Sequence, residues 1–164
     1  MRSSLMFGSI VAAAGTTAFL LTPTLFPPHP NVAPPAAGLI PYFIALSVVE
    51  SLFFGIGVAF LLFGLPKMRQ VARISGLSPW PSYLAIGYLT ASWWPHLGMH
   101  QVAGVDFDKL IVVDYVFHLP YIISGAVVAH FFYATLTTAA RRYGQSEQAV
   151  RRDRIVVAQQ HRAA

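Results

Sequence analysis

Apolar residues run along this chain in blocks longer than a soluble fold needs, and the charged positions fall between them. No charge interrupts Leu5 to Phe26, and Glu50 alone interrupts Pro41 to Leu65. A third block runs from Tyr83 to His100 and a fourth from Leu110 to Ala139. A helix needs about 20 mainly apolar residues to cross a hydrocarbon core of about 30 Å. The pattern therefore predicts an all-α fold, an integral membrane four-helix bundle over residues 1–140, followed by a basic cytoplasmic tail over 141–164. A secretory leader is the alternative for the first block. Its apolar stretch exceeds the 7–15 residues of a typical leader, and no clean small-x-small cleavage site follows, so a retained helix is expected.

The segments between the blocks fit this plan. PPHPNVAPPAAG after the first block is proline-rich and expected to be extended, with His29 as a solvated loop residue. KMRQVAR after the second carries Lys67, Arg69 and Arg73. AGVDFDK between the third and fourth is short and carries Lys109 with Asp106 and Asp108. Arg2, the 67–73 segment and the tail share one side, which the positive-inside rule makes cytoplasmic. Trp93 and Trp94 read as interfacial anchors near the far end of the third block. Gly55 and Gly57 in FFGIGVAF follow no strand and read as points of close helix contact. There is no internal repeat, glycine-rich phosphate loop or nucleophile elbow.

Composition narrows the chemistry. The 164 residues are 55% hydrophobic and 10% charged, against about 25% charged in a soluble domain. The net charge of +5 comes from short loops and the tail. That is not the basic face of a nucleic-acid-binding domain, and no nucleic-acid partner is expected. There is no cysteine, which excludes disulfides, thiolate zinc sites, iron–sulfur clusters and thiol catalysis.

Candidate chemistry concentrates between Trp93 and His130, which hold four of the six histidines. Ionisable groups inside a membrane segment are costly unless paired or facing a cavity, so such a cluster is a site by default. His96 and His100 are four residues apart, and so are Asp114 and His118. On helices each pair shares a face. The short connection makes an antiparallel hairpin that brings both pairs to similar depth near the non-cytoplasmic end. His96, His100 and Asp114 are the expected metal ligands, with His118 as a fourth ligand or as the partner that orients Asp114. Glu50, near the middle of the second block, is either neutral and hydrogen-bonded to another helix or paired with a cation, metal or histidine, and it could approach the same level to support the ligands. Imidazole and carboxylate without thiolate suit copper, zinc, iron or nickel. The alternative is that these groups bridge helices by hydrogen bonds. His130 lies about 18 Å along the helix from His118 and is expected to be a buried residue bonded to a neighbouring span, with a haem ligand as the alternative.

HLGMHQV at 96–102, followed by YVFHLPYIISG at 115–125 and preceded by GYL at 87–89, resembles the C subunit of the copper membrane monooxygenases, which oxidise methane, ammonia or short alkanes. Those subunits place an Asp or Asn four residues before a His, often followed by Gln, with a further His about a dozen residues on, as copper ligands. The resemblance sets His96 at the Asp/Asn position, His100 at the first His and Asp114 at the second, so the outer two ligand types are exchanged. It implies a copper site in a multi-subunit membrane oxidoreductase.

Three functions follow as expectations. The first is a metal-binding subunit, with copper, of a monooxygenase-like or oxidase complex in the cell (inner) membrane, a multi-pass protein with other membrane subunits or further copies of itself as partners. The second is an electron-transfer subunit carrying haem b on axial histidines such as His100, His118 or His130, which a four-helix bundle suits. The third is an assembly subunit or small transporter whose polar groups join helices. The basic tail fits all three, as a contact for anionic lipid or a partner.

Overall fold

The computed structural model describes the backbone of residues 2–163 and the side chains of 4–145, 147 and 148. It is all-helical, with no strand among the described residues. The elements are α1 (Arg2–Leu25), a 3-10 turn (Ala37–Leu39), α2 (Ile40–Phe63), α3 (Leu65–Ser75), α4 (Pro79–Ala91), α5 (Trp93–Ala103), α6 (Phe107–Val113), a π-helical turn (Asp114–His118) and α7 (Leu119–Ala163). α7 runs on without a break from the fourth expected span through the basic segment. Most side chains of that segment lie outside the described residues.

Three stretches are long and apolar enough to cross a membrane: Ser4–Leu25, Ala37–Phe63 and Phe107–Gln145. Their outward faces are apolar: Leu20, Tyr42, Leu62, Ile122 and Leu136 are 60% or more exposed. Water does not favour so large an apolar surface on a monomer.

The expected third span is not one continuous helix. It breaks at Ser92 into α4 and α5. The cause is Pro95, which has no N–H for the carbonyl of Ala91 four residues earlier and whose ring crowds it. The helix restarts with the His96 N–H on the Ser92 carbonyl at 2.9 Å. In place of four continuous helices there are three long enough to cross a membrane, with a broken pair of helices between the second and the last.

Small residues set the packing. A Cβ on Gly55 would stand 2.4 Å from the carbonyl oxygen of Val11, so α1 and α2 touch backbone to backbone there. A Cβ on Gly57 would stand 2.5 Å from the Ala91 nitrogen, which brings α2 onto the end of α4. Just before these glycines, Phe54 packs on Trp94 with ring centroids 4.8 Å apart. On the other side, α3 and α4 pack on α7 through Met68, Ala72, Tyr83 and Phe131. The proline-rich segment folds over the end of α5. Its His29 N–H donates to Gln101, and Gly104, at a positive φ of 56°, leaves room for the His29 side chain. His29 is therefore half-buried at a helix end and not a freely solvated loop residue.

Candidate metal centre

α5 presents one face to α2 and the opposite one to α6 and α7. Trp94 and Gly98 lie on the first, against Phe54 and Phe26. His96 lies about 200° round from Trp94 at 100° per residue, and His100 follows one turn later. Their rings meet at centroids 4.7 Å apart, and His96 also packs on Phe117 and Tyr121 of the facing helix.

The facing helix is faulted at the same level. Pro120 has no N–H for the carbonyl of Val116, four residues before it. The backbone widens ahead of it into the π-helical turn, closed by the Leu119 N–H on the Asp114 carbonyl, five residues back. Single π turns of this kind recur at functional sites. The carbonyl of Val116 finds its donor elsewhere: the Tyr88 hydroxyl of α4 donates to it at 2.8 Å. Tyr88 and Tyr121 pack with ring centroids 5.5 Å apart. Ser92, at the α4–α5 break, donates back to the Tyr88 carbonyl and lies 3.2 Å from the Tyr121 hydroxyl.

Three imidazoles converge between these two faults. His96 Nε2 lies 2.9 Å from His118 Nε2 and 3.0 Å from His100 Nε2. One ligand nitrogen from each of the three falls within 4.8 Å of the other two. Asp114 does not join that point. Its Oδ1 is 2.5 Å from Nδ1 of His118, on the other side of the ring. Of the two roles expected for His118, the geometry matches that of a further ligand, since it reaches the cluster, whereas Asp114, expected to be a ligand itself, contacts His118 instead. The π turn spans the two residues.

The donor set carries a chemical consequence. A neutral imidazole has one N–H and one lone pair. With Nδ1–H given to Asp114, the Nε2 of His118 carries a lone pair. His96 can then donate its Nε2–H to His118, which leaves it no lone pair for His100. Hydrogen bonds alone cannot satisfy all three nitrogens, whereas one cation accepts all three lone pairs. A carboxylate on the remote nitrogen of a ligating histidine is the usual support of such a ligand.

Glu50 stands apart from the cluster. It is buried, at 6% exposure, four residues before Phe54 on α2. It shares no hydrogen bond with His96, His100, Asp114 or His118 among the described residues. The reason is the packing: α2 lies on the Trp94 side of α5, and the histidines point the other way. His130 is exposed, not buried, and lines a groove of about 470 Å³ with Leu77, Ser82 and Phe131. Asp106 caps α6, accepting from the Asp108 and Lys109 N–H groups at 3.1 and 3.3 Å and pairing with Lys109 Nζ at 3.1 Å. The Lys109 side chain, then the Lys109 N–H, holds the Asp106 carboxyl below its usual value.

Sequence reasoning missed Tyr88, Ser92 and Tyr121. The signal was present: Tyr88, Ser92, His96 and His100 recur every four residues, a single polar stripe along the α4–α5 pair. Comparison with protein-family models, curated proteins and solved structures finds no match for this chain.

Proposed function

We propose that this chain is a multi-pass membrane protein that binds one transition-metal ion through His96, His100 and His118, with Asp114 holding His118 in its ligating tautomer. The carrying observation is the convergence of three Nε2 atoms, backed by a carboxylate on the remote nitrogen of one ring. Three nitrogens suit copper, zinc, nickel or iron, and the resemblance to the copper monooxygenase C subunit favours copper. The ion would supply Lewis-acid or redox chemistry at a position left open by the three ligands. On this reading the protein is a subunit of a monooxygenase-like or oxidase complex. The tight grouping of the three rings favours a single ion over haem b, which needs a macrocycle between its two axial ligands.

On the same reading α4 and α5 cross the bilayer together as a broken helix, giving four crossings with both termini cytoplasmic. Irregular backbone is tolerated at membrane depth where it is enclosed by protein or lines a cavity, and here both breaks flank the polar cluster. The basic residues Lys67, Arg69 and Arg73 then lie on the cytoplasmic side.

The test is elemental analysis with an absorption spectrum of detergent-purified protein, beside His100→Ala. Near-stoichiometric metal, absent from the variant, is the expected result. Equal metal in both, or a haem spectrum, would overturn the reading.

A further inference from the structure

Two helices carry the cluster, and both are faulted by a proline at its level. Pro95 precedes His96 directly, and Pro120 follows His118 by two residues. At the α4–α5 fault the Ser92 hydroxyl donates to the Tyr88 carbonyl within the same helix pair. At the fault before α7 the Val116 carbonyl, which Pro120 leaves without its usual main-chain donor, takes one from another helix, the Tyr88 hydroxyl at 2.8 Å.

We infer that Tyr88 is the positioning residue of the metal centre: by donating to Val116 across the α4–α7 contact it keeps the π turn open, and the open turn aims His118 at His96 and His100. The inference rests on the metal reading above and adds to it a residue that touches no ligand atom in hydrogen-bonding distance. A π turn holds one more residue than an α turn, so closing it would rotate the flanking segments against each other by about 100°. Asp114 lies at the start of that turn and His118 at its end. Two structural features depend on Tyr88, one through its hydroxyl and one through its ring. The hydroxyl donates to a carbonyl that Pro120 deprives of its usual main-chain donor, in a setting where an unmet polar group is expensive. The same ring packs on Tyr121, which in turn packs on His96 at 5.2 Å. Tyr88 thus touches the supports of both histidine-bearing helices.

The test uses the full chain in detergent or nanodiscs, titrated with Cu²⁺ and with Co²⁺ against a competing chelator. The variants are Tyr88→Phe, Pro120→Ala and the double variant. Tyr88→Phe keeps the ring and removes only the donor. It should weaken metal binding about tenfold, as loss of a group supporting a ligand does, and alter the Co²⁺ absorption and Cu²⁺ resonance spectra. Pro120→Ala returns a main-chain donor to Val116 and should also weaken binding. The double variant should then be no weaker than Pro120→Ala, because the carbonyl no longer needs the tyrosine. Wild-type affinity and spectra in Tyr88→Phe would overturn the inference alone, while a wild-type protein that takes up neither ion would overturn the metal reading and the inference with it. Should Tyr88→Phe lower the melting point of the metal-free protein, the double variant decides. Losses that add in full, instead of overlapping, would show Tyr88 acting only as packing.

Discussion

Asp114 Oδ1 lies 2.5 Å from Nδ1 of His118, on the side of the ring away from the Nε2 that meets His96. This contact fixes which nitrogen of His118 carries the lone pair. Asp114→Asn keeps the size of the side chain and removes its charge. It should weaken metal binding about 10- to 100-fold while leaving the helical circular dichroism unchanged. Chelator competition measures the first, and unaltered affinity would remove Asp114 from the site.

If one ion is held by His96, His100 and His118 as proposed, replacing any one by Ala should abolish tight binding. A second replacement should then add little, since ligands of one ion do not act independently. His130→Ala is the control. It lies far along α7 in its own groove and should retain full metal content. Metal content by elemental analysis across the four variants checks the assignment.

Metal removal should lower the melting temperature of the wild type. An ion that binds only the folded state adds about 2.7 kcal/mol when present at 100 times its dissociation constant. A chelator should reverse that gain. His100→Ala should melt at the same temperature with and without chelator. Calorimetry or a thermal-shift measurement in detergent reads the difference.

Gly57→Ala tests the helix contact beneath the site. The added Cβ would stand 2.5 Å from the Ala91 nitrogen, a backbone atom next to the α4–α5 break. Overpacking of this kind costs about 1–3 kcal/mol. The variant should melt lower, and a neutral result would mean that α2 and α4 part more easily than their packing implies.

Asp106 gives a local pH effect. Its carboxyl is held below its usual value by Lys109, so its support of α6 is present at neutral pH and above the ordinary carboxylate range. That support is lost as the pH falls through the lowered value. The amides of Asp108 and Lys109, which donate to Asp106, should lose exchange protection in acid beyond the intrinsic rate change. In Asp106→Asn this acid-dependent component should vanish.

Much of the site was legible because its spacings are local. His96 with His100, and Asp114 with His118, were paired from intervals of four, and the short AGVDFDK connection brought the two pairs level. The division of labour was not legible. An interval of four places Asp114 and His118 near one face whichever of them points inward, and the π turn decides that. Pro120 announces a missing donor at Val116, but nothing local says that Tyr88, distant in sequence, supplies one. Pro95 likewise marked a break that long apolar runs on either side concealed. Glu50 was misjudged for a related reason. Its depth could be counted along its helix, whereas the face of α5 it would meet depends on Gly57 and Phe54 docking α2 against Ala91 and Trp94.

X-ray absorption at the edge of the bound metal tests the central claim most directly. Three imidazole nitrogens at about 2.0–2.1 Å, with the multiple scattering typical of imidazole rings, are predicted for the wild type, and two in His118→Ala where metal is retained under excess. A first coordination sphere made mainly of oxygen, or one unchanged by His118→Ala, would contradict the three-histidine centre.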